Sequence, residues 1–184
     1  MTLIKINYEF EVLLSLLKQE MHGRELAKAL ETSLTRIQAI LNELRGHNIL
    51  DYRVKGKNHV YFIKKNLIAK AFILNAENYK LAKILCKYPF LEPLFKESAQ
   101  KYPRQMIILF GSYAKFISKE ESDIDLYIDS TDKRVKEAIN QINERISVKI
   151  GKFSKEDLLI QEIIKNHVII HGGEKFYEKL GFFK

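Results

Sequence analysis

Residues 106–129 have the sequence Met-Ile-Ile-Leu-Phe-Gly-Ser-Tyr-Ala-Lys-Phe-Ile-Ser-Lys-Glu-Glu-Ser-Asp-Ile-Asp-Leu-Tyr-Ile-Asp. The stretch begins with apolar residues and then meets Gly111, which is how a buried strand commonly ends. The glycine permits a tight turn and leaves room for a ligand beside the backbone. Ser112 follows with a hydroxyl and an amide at the predicted start of a short helix, where anions are favoured.

A second strand is predicted over residues 122–129, where apolar and polar residues alternate. Ile124, Leu126 and Ile128 would face the core, which turns Asp123 and Asp125 to the opposite face. Two carboxylates about 7 Å apart along one strand face repel each other. A divalent cation removes that cost, because hard cations bind carboxylate oxygens. The alternative is a plain half-buried edge strand whose acids are solvated.

The phrases Gly-Ser-Tyr-Ala-Lys and Glu-Ser-Asp-Ile-Asp-Leu, taken together, resemble the DNA polymerase beta-like nucleotidyltransferases. Their residues are similar to those of the minimal nucleotidyltransferases, a branch of that family, and the chain resembles the archaeal members of this branch. The resemblance covers residues 90–184 and implies a small mixed β-sheet flanked by helices. It implies that Gly111 and Ser112 bind ATP or another nucleoside triphosphate. It also implies that Asp123 and Asp125 are catalytic and hold Mg²⁺ or Mn²⁺.

Some members of that branch are antitoxins that adenylylate a HEPN-domain toxin, so the resemblance suggests such a toxin or another protein as the acceptor. Two departures stand out. Lys115-Phe116 replaces the Arg-Gly that family members often carry, although Lys115 can still meet a phosphate as a point charge. The family also supplies a third carboxylate from a later strand. The matching strand here is expected over 145–150, and its candidate positions hold Ser147 and Lys149.

The missing third acid leaves two functions open. In the first, the chain transfers a nucleoside monophosphate to a hydroxyl. In the second, it is a transcription regulator whose nucleotidyltransferase domain is degenerate and only binds a nucleotide or a partner. The two retained aspartates favour the enzyme, because they are costly to keep together without a cation.

The amino-acid composition limits the classes of protein to which the chain can belong. The 184 residues are 46% hydrophobic and 29% charged, as in ordinary soluble domains. The single cysteine, Cys86, excludes an internal disulfide and fits a reducing compartment. Neither a signal peptide nor an apolar run of membrane-spanning length is visible. These features predict a cytoplasmic protein that does not enter a membrane.

The net charge of +8 is unevenly distributed along the chain. Residues 51–100 hold 10 Lys and Arg against 4 Asp and Glu, while the other parts are close to balanced. A local basic block indicates an anionic partner, most simply nucleic acid. A solvated lysine-rich face is the alternative.

Residues 1–65 show three amphipathic helices followed by a hairpin. The helices are expected near 7–18, 24–30 and 34–46, and the strands near 49–54 and 59–63. Arg-Glu-Leu-Ala-Lys-Ala-Leu and Leu-Thr-Arg-Ile-Gln-Ala-Ile-Leu-Asn-Glu-Leu resemble the second and third helices of winged helix-turn-helix domains. The resemblance implies DNA binding, with the third helix in the major groove.

The residues predicted to contact DNA lie on the third helix and on the wing. On the helix they are Thr35, Arg36, Gln38 and Asn42, and Arg36 suits guanine while Gln38 suits adenine. On the wing, Arg53, Lys55 and Lys57 would meet phosphates. A trihelical protein-interaction module with solvated lysines is the alternative.

The remaining segments complete an α+β prediction: an N-terminal winged helix and a C-terminal nucleotidyltransferase fold. Residues 66–89 are expected to form one or two connecting helices, interrupted at 75–78, that pack the domains or form a homodimer. Within 90–184, helices are expected at 91–102, 132–143, 154–165 and 174–180, the third capped by Ser154. A strand is expected over 167–171. His167 and His171 would share a face of it, but hydrogen-bonded or surface histidines are favoured over a metal site.

Overall fold

The protein is described by a computed structural model covering residues 5–183, and these residues divide into two compact units. The N-terminal unit comprises Lys5–Tyr79, and the C-terminal unit comprises Lys80–Phe182. The boundary falls inside one continuous helix, so the expected interruption at 75–78 is wrong. Helix propensity explains this, because an isolated asparagine costs a helix well under 1 kcal/mol. None of the helices within 5–183 is long and apolar enough to cross a bilayer.

The N-terminal unit is a winged helix. Its elements are α1 (Tyr8–Lys18), β1 (Met21–His22), α2 (Gly23–Ala29), α3 (Leu34–Gly46), β2 (Leu50–Lys55), β3 (Asn58–Ile63) and the first part of α4 (Leu67–Lys87). The strands form an antiparallel sheet in the order β1-β3-β2. This confirms the three predicted helices and the hairpin, and it adds the short strand β1.

Local chemistry sets the starts of these helices. The side chains of Asn7 and Ser33 accept hydrogen bonds from the first turns of α1 and α3, as their positions predict. Helix α2 begins differently. The ring of His22 accepts from the amide of Glu25, whose carboxylate accepts from the amide of His22. His22 thus starts a helix through a capping box, and α2 begins at Gly23, one residue before the expected start at 24.

The C-terminal unit contains a mixed four-stranded sheet. Its elements are the end of α4, α5 (Leu91–Lys101), β4 (Ile107–Leu109), α6 (Gly111–Ala114), β5 (Ile124–Asp129), α7 (Lys133–Asn140), β6 (Ile146–Gly151), α8 (Leu158–Lys165), β7 (Val168–His171) and α9 (Gly173–Leu180). The strand order is β6-β5-β4-β7. Only β5 and β6 are parallel, and β4 is antiparallel to both of its neighbours.

The alternating pattern of β5 divides the sheet into two faces. Ile124, Leu126 and Ile128 are buried in one core with residues of α5 and α7, as predicted. The opposite face carries Asp125 and the buried Tyr127. This second face is therefore part core and part candidate site.

Two predicted boundaries need correction. Helix α8 begins only at Leu158, because the side chain of Asp157 accepts from the amides of Leu159 and Ile160. Ser154 therefore does not cap this helix. Helix α7 begins as predicted after Asp132, whose carboxylate caps it, but it ends at Asn140. Both Asp and Ser are good caps, so sequence alone did not distinguish Asp157 from Ser154.

Candidate functional site

The turn from β4 into α6 is fixed directly against β5. The amide of Phe110 donates to the carbonyl of Asp125 at 2.9 Å. Gly111 then takes a φ of +71°, a conformation that side chains of L-residues rarely adopt. The chain therefore turns sharply at the end of β4 and places Gly111 and the half-buried Ser112 beside the middle of β5.

Gly111 is required here for space as well as for conformation. A Cβ atom added at this position would lie 2.2 Å from Oδ2 of Asp125. The backbone of the turn and this carboxylate are thus in close approach, which any side chain at position 111 would prevent. The arrangement brings together the two halves of the sequence motif, since the glycine turn and the second aspartate are direct neighbours.

The two aspartates have different surroundings. Asp125 is half-buried within β5, while Asp123, one residue before the strand, is exposed. Burial raises the pKa of Asp125, the negative charge of Asp123 raises it further, and the ammonium group of Lys149 acts in the opposite direction. Ionised Asp125 is therefore disfavoured by its own site, and a bound cation would relieve this cost.

The donor set suits a hard divalent cation but provides only two carboxylates. Oxygen ligands of this kind are those that Mg²⁺ and Mn²⁺ prefer. Within residues 5–183, no group of three or more His, Cys, Asp or Glu side chains is placed to hold a metal ion. The residues present fit one cation, which Asp123 and Asp125 would hold.

The sheet register shows what occupies the place of a third acid. In the parallel pairing of β5 with β6, Ser147 lies opposite Asp125, and Lys149 lies opposite Tyr127. A hydroxyl and an ammonium group therefore stand where a further carboxylate would complete the site. The strand predicted from sequence is present, and its polar positions are confirmed to be Ser147 and Lys149.

Asp129 lies on the same face of β5, but it is already committed to other partners. Its carboxylate accepts from the amide of Phe153 at 3.0 Å and pairs with Lys179 at 2.9 Å. These contacts connect β5 to the segment after β6 and to α9. Asp129 therefore stabilises the fold and does not complete the aspartate pair.

Lys115 directly follows α6 and has a carboxylate partner. Its Nζ lies 2.7 Å from Oε1 of Glu162 in α8. The hydrogen bond and the charge of Lys115 hold the pKa of Glu162 below its usual range. Lys115 would have to leave Glu162, or share its ammonium group, to meet a phosphate. Sequence reasoning gave no role to Glu162, because nothing local connects the two residues.

His167, which lies one residue before β7, and His171, which ends it, both make hydrogen bonds to backbone carbonyls. His167 is buried, its Nδ1 lies 2.9 Å from the carbonyl of Ile163, and its ring packs 4.5 Å from that of Phe176. His171 Nε2 lies 2.8 Å from the carbonyl of Pro103. Both histidines serve structure, as the sequence favoured.

In the N-terminal unit, the predicted DNA-contact residues are all exposed. Four of them lie on α3: Thr35, Arg36, Gln38 and Asn42. Both arginines of the set also have intramolecular contacts. The guanidinium of Arg36 lies 4.9 Å from the centre of the Tyr8 ring. That of Arg53 pairs with Glu20 at 2.9 Å and lies over Phe62. Lys55 is the last residue of β2, and Lys57 lies in the tight turn of the wing. Gly56, between them, has a φ of +60°.

Residues 95–176 match the family described as "Polymerase beta, Nucleotidyltransferase". This segment of the chain is therefore similar to the nucleotidyltransferase domains of that family. The match begins in α5, ends in α9, and includes the glycine turn, both aspartates and the sheet described above. The α+β expectation, a winged helix followed by a nucleotidyltransferase fold, is therefore confirmed.

One solved structure is similar to part of the chain. The solved structure of a mutant of ZitR from Lactococcus lactis is 15% identical, covers 56% of this chain and 71% of its own, and has a TM-score of 0.38. No curated protein matches the chain.

Proposed function

We propose that the C-terminal unit binds a nucleoside triphosphate and transfers its nucleoside monophosphate to a hydroxyl acceptor, with pyrophosphate leaving. Asp123 and Asp125 would hold the Mg²⁺ or Mn²⁺ that accompanies the nucleotide. Gly111 and Ser112 would bind the triphosphate through backbone and hydroxyl groups, and Lys115 would contribute a positive charge. ATP is the first candidate among the triphosphates.

The observation that carries this proposal is the close approach of Gly111 to the carboxylate of Asp125. A bare backbone turn beside two carboxylates is suited to a ligand that presents both an anion and a cation. A metal-bound triphosphate has both, and the bound cation would neutralise charge on the reacting phosphate. Through the cation, Asp123 and Asp125 would orient the triphosphate. The turn at Gly111 places no side chain between the triphosphate and the two carboxylates.

The acceptor is proposed by resemblance. The minimal nucleotidyltransferases to which the motif is similar include antitoxins that modify a HEPN-domain toxin. A hydroxyl of such a toxin, or of another protein, is therefore the first acceptor class to test. A tyrosine is the first residue to examine in it.

A second function is favoured by one observation, the placement of Ser147 beside Asp125. The hydroxyl of a serine carries no negative charge, so it cannot replace a carboxylate as a ligand of the metal ion. It also cannot take up a proton as a carboxylate does. If transfer requires a third carboxylate, the domain binds a nucleoside triphosphate without transferring its nucleoside monophosphate. The chain would then be a transcription regulator that senses a nucleotide or a protein partner.

Incubation with α-labelled ATP, Mg²⁺ and candidate acceptors distinguishes the two functions. Covalent label on an acceptor, lost in Asp125→Asn, supports the transferase. ATP binding that depends on Asp123 and Asp125, without transfer to any acceptor, supports the regulator. Absence of both transfer and Mg²⁺-dependent ATP binding contradicts both functions of this site.

For the N-terminal unit we propose DNA binding through α3 and the wing. The exposed polar face of α3 and the lysines of the wing support this assignment. The proposed organisation is a DNA-binding domain over 1–65, a helical connector over 66–89 and the nucleotidyltransferase domain over 90–184. We propose a cytoplasmic location, and the connector as the first place to seek a homodimer contact.

A further inference from the structure

The two aspartates of the candidate site are held in place by different means. Asp125 lies inside β5, where it pairs with Ser147 of β6, and its carbonyl accepts from the amide of Phe110. Asp123 is exposed and lies one residue before the strand, since the pairing of β5 with β6 begins at Ile124. The position of Asp123 therefore depends on the segment that leads into β5.

Arg145 reaches that segment from the start of β6. It directly precedes the strand, and its carbonyl accepts from the amide of Ile124 at 2.8 Å. Its guanidinium Nη2 donates to the carbonyl of Ser122 at 3.0 Å and to the hydroxyl of Tyr113 at 2.5 Å. One nitrogen atom thus connects α6 to the residue that precedes Asp123, and the backbone of the same arginine holds the residue that follows it.

Arg145 is itself fixed by its surroundings. Its amide donates to the side-chain oxygen of Asn143 at 2.9 Å. Its guanidinium lies 5.3 Å from the centre of the Phe90 ring, which meets the ring of the buried Tyr113 edge-on with centres 6.0 Å apart. Arginine suits this place because its planar group stacks on rings and donates hydrogen bonds in fixed directions. The link between α6 and Ser122 is therefore a defined contact of the fold.

The partners of Arg145 indicate that the link serves the site. Within residues 5–183, Arg145 pairs with no carboxylate, and its buried Nε has no hydrogen-bond partner. A buried donor without a partner lowers stability, so its presence in a native fold calls for an explanation. Both acceptors of its side chain are next to residues of the site, because Tyr113 follows Ser112 and Ser122 precedes Asp123.

We propose that Arg145 is a positioning residue that holds Asp123 where it can share a cation with Asp125. It acts through the carbonyl of Ser122 and ties the same segment to α6, the helix that begins at the glycine turn. This inference rests on the metal and nucleotide binding proposed above. It adds to that site a residue that contacts neither the cation nor the nucleotide.

The experiment uses the full chain and compares the parent with Arg145→Met, Tyr113→Phe and the control Tyr127→Phe. Arg145→Met removes the donors of the link, while Tyr113→Phe removes one acceptor and leaves the charge of Arg145 in place. Tyr127→Phe also removes a buried hydroxyl, but its hydrogen bond joins β5 to Gly151, at the end of β6 remote from Asp123. Calorimetry measures the affinities for Mn²⁺ and for Mg²⁺–ATP at a temperature at which melting curves show every variant to be folded.

Arg145→Met should weaken the binding of both ligands about tenfold, as expected for the loss of a charge-assisted hydrogen bond. Tyr113→Phe should weaken both by about threefold, since one uncharged acceptor of the link is lost, and it keeps the test decisive if Arg145→Met does not fold. Tyr127→Phe should lower the melting temperature and retain the parental affinities. Equal affinities in all four proteins would overturn the inference, as would an equal loss in all three variants, because binding would then follow stability alone.

A second set of proteins asks whether Arg145 acts through Asp123. It compares Asp123→Asn with the double variant that also carries Arg145→Met. Asp125 remains in both to bind Mn²⁺ more weakly. If Arg145 positions Asp123, the two proteins should have the same Mn²⁺ affinity, because mutations that act on one interaction are not additive. A further tenfold loss in the double variant would overturn the inference, since a general structural role weakens binding in either background.

The outcomes separate this inference from the proposed function. If the parent and Arg145→Met bind Mn²⁺ and Mg²⁺–ATP equally well, the inference fails and the proposed function stands. If the parent binds Mn²⁺ but not Mg²⁺–ATP, the proposed function fails, and a loss of Mn²⁺ affinity in Arg145→Met still supports the inference. A parent that binds neither ligand contradicts both.

Discussion

Asp125 and Ser147 are direct neighbours in the parallel pairing of β5 with β6. Adjacent strands lie about 4.8 Å apart, so an acid at position 147 would be within reach of a cation held by Asp125. The serine therefore limits the site to two carboxylates, and this limit can be tested by substitution.

Ser147→Asp is expected to lower the stability of the metal-free protein, because it adds a third negative charge beside Asp125 and Asp123. It should also strengthen Mn²⁺ binding and raise any nucleotide transfer. Calorimetric Mn²⁺ titration and the α-label assay measure these effects. Ser147→Asn, similar in shape but uncharged, is the control. A gain of equal size in both variants would show that the added charge is not responsible.

Replacing both Asp123 and Asp125 by Asn should remove the response of the protein to Mg²⁺–ATP. A ligand present at a hundredfold excess over its Kd stabilises the folded state by about 2.7 kcal/mol. For a chain of this size that raises the melting temperature by several degrees. The double variant should melt at or slightly above the parent without ligand, because the repulsion between the carboxylates is gone.

The control for this melt is Glu121→Gln, which removes a nearby exposed acid outside the pair. It should retain the full Mg²⁺–ATP shift. An equal shift in the double Asn variant would assign the metal to other residues, and no shift in the parent would mean that the acids are merely solvated.

Gly111→Ala should damage the site in addition to straining the backbone. A φ of +71° costs an alanine about 1–2 kcal/mol, and the new Cβ would displace the carboxylate of Asp125. Gly56→Ala is the matched control, because Gly56 has a φ of +60° with no atom within 4 Å of the added Cβ. Chemical denaturation should show a larger loss for Gly111→Ala, and only this variant should lose Mg²⁺–ATP binding. Similar losses from both would mean that the approach to Asp125 is unimportant.

The stability of the metal-free protein should depend on pH through Asp125. Burial and Asp123 raise its folded-state pKa, so the folded chain binds more protons than the unfolded chain between the two pKa values. Stability therefore falls as the pH rises from about 3.9, the value of an unfolded aspartate, through the raised pKa of Asp125. Urea denaturation at a series of pH values should show this loss in the parent, reduced in Asp125→Asn. A parallel pH profile for the two proteins would exclude Asp125 as its source.

DNA affinity should decrease steeply with salt if α3 and the wing contact phosphates. Lys55→Ala combined with Lys57→Ala should weaken binding to all sequences alike, whereas Arg36→Ala should weaken a preferred site most. Gel-shift titrations at several salt concentrations, with preferred and random duplexes, measure both effects. A salt-independent affinity would contradict the assignment of this face to DNA.

The sequence by itself determined the local elements and the halves of the motif. Apolar periodicity identified α1, α3, the hairpin and the alternating strand β5. A tight turn at Gly111 was expected because glycine tolerates backbone conformations that other residues avoid. The absence of an acid at positions 147 and 149 could also be read from the sequence. Side chains alternate between the two faces of a strand, so the positions on one face follow from the sequence alone.

The tertiary structure alone decided which side chains share a site. The pairing of Lys115 with Glu162 and the pairing of Asp129 with Lys179 both join separate elements. Periodicity assigns a residue to a face of its own helix or strand, but not to a partner elsewhere in the chain. Those partners are set by how the elements pack and by the register of the sheet, because contacts across elements depend on the whole core rather than on neighbouring residues.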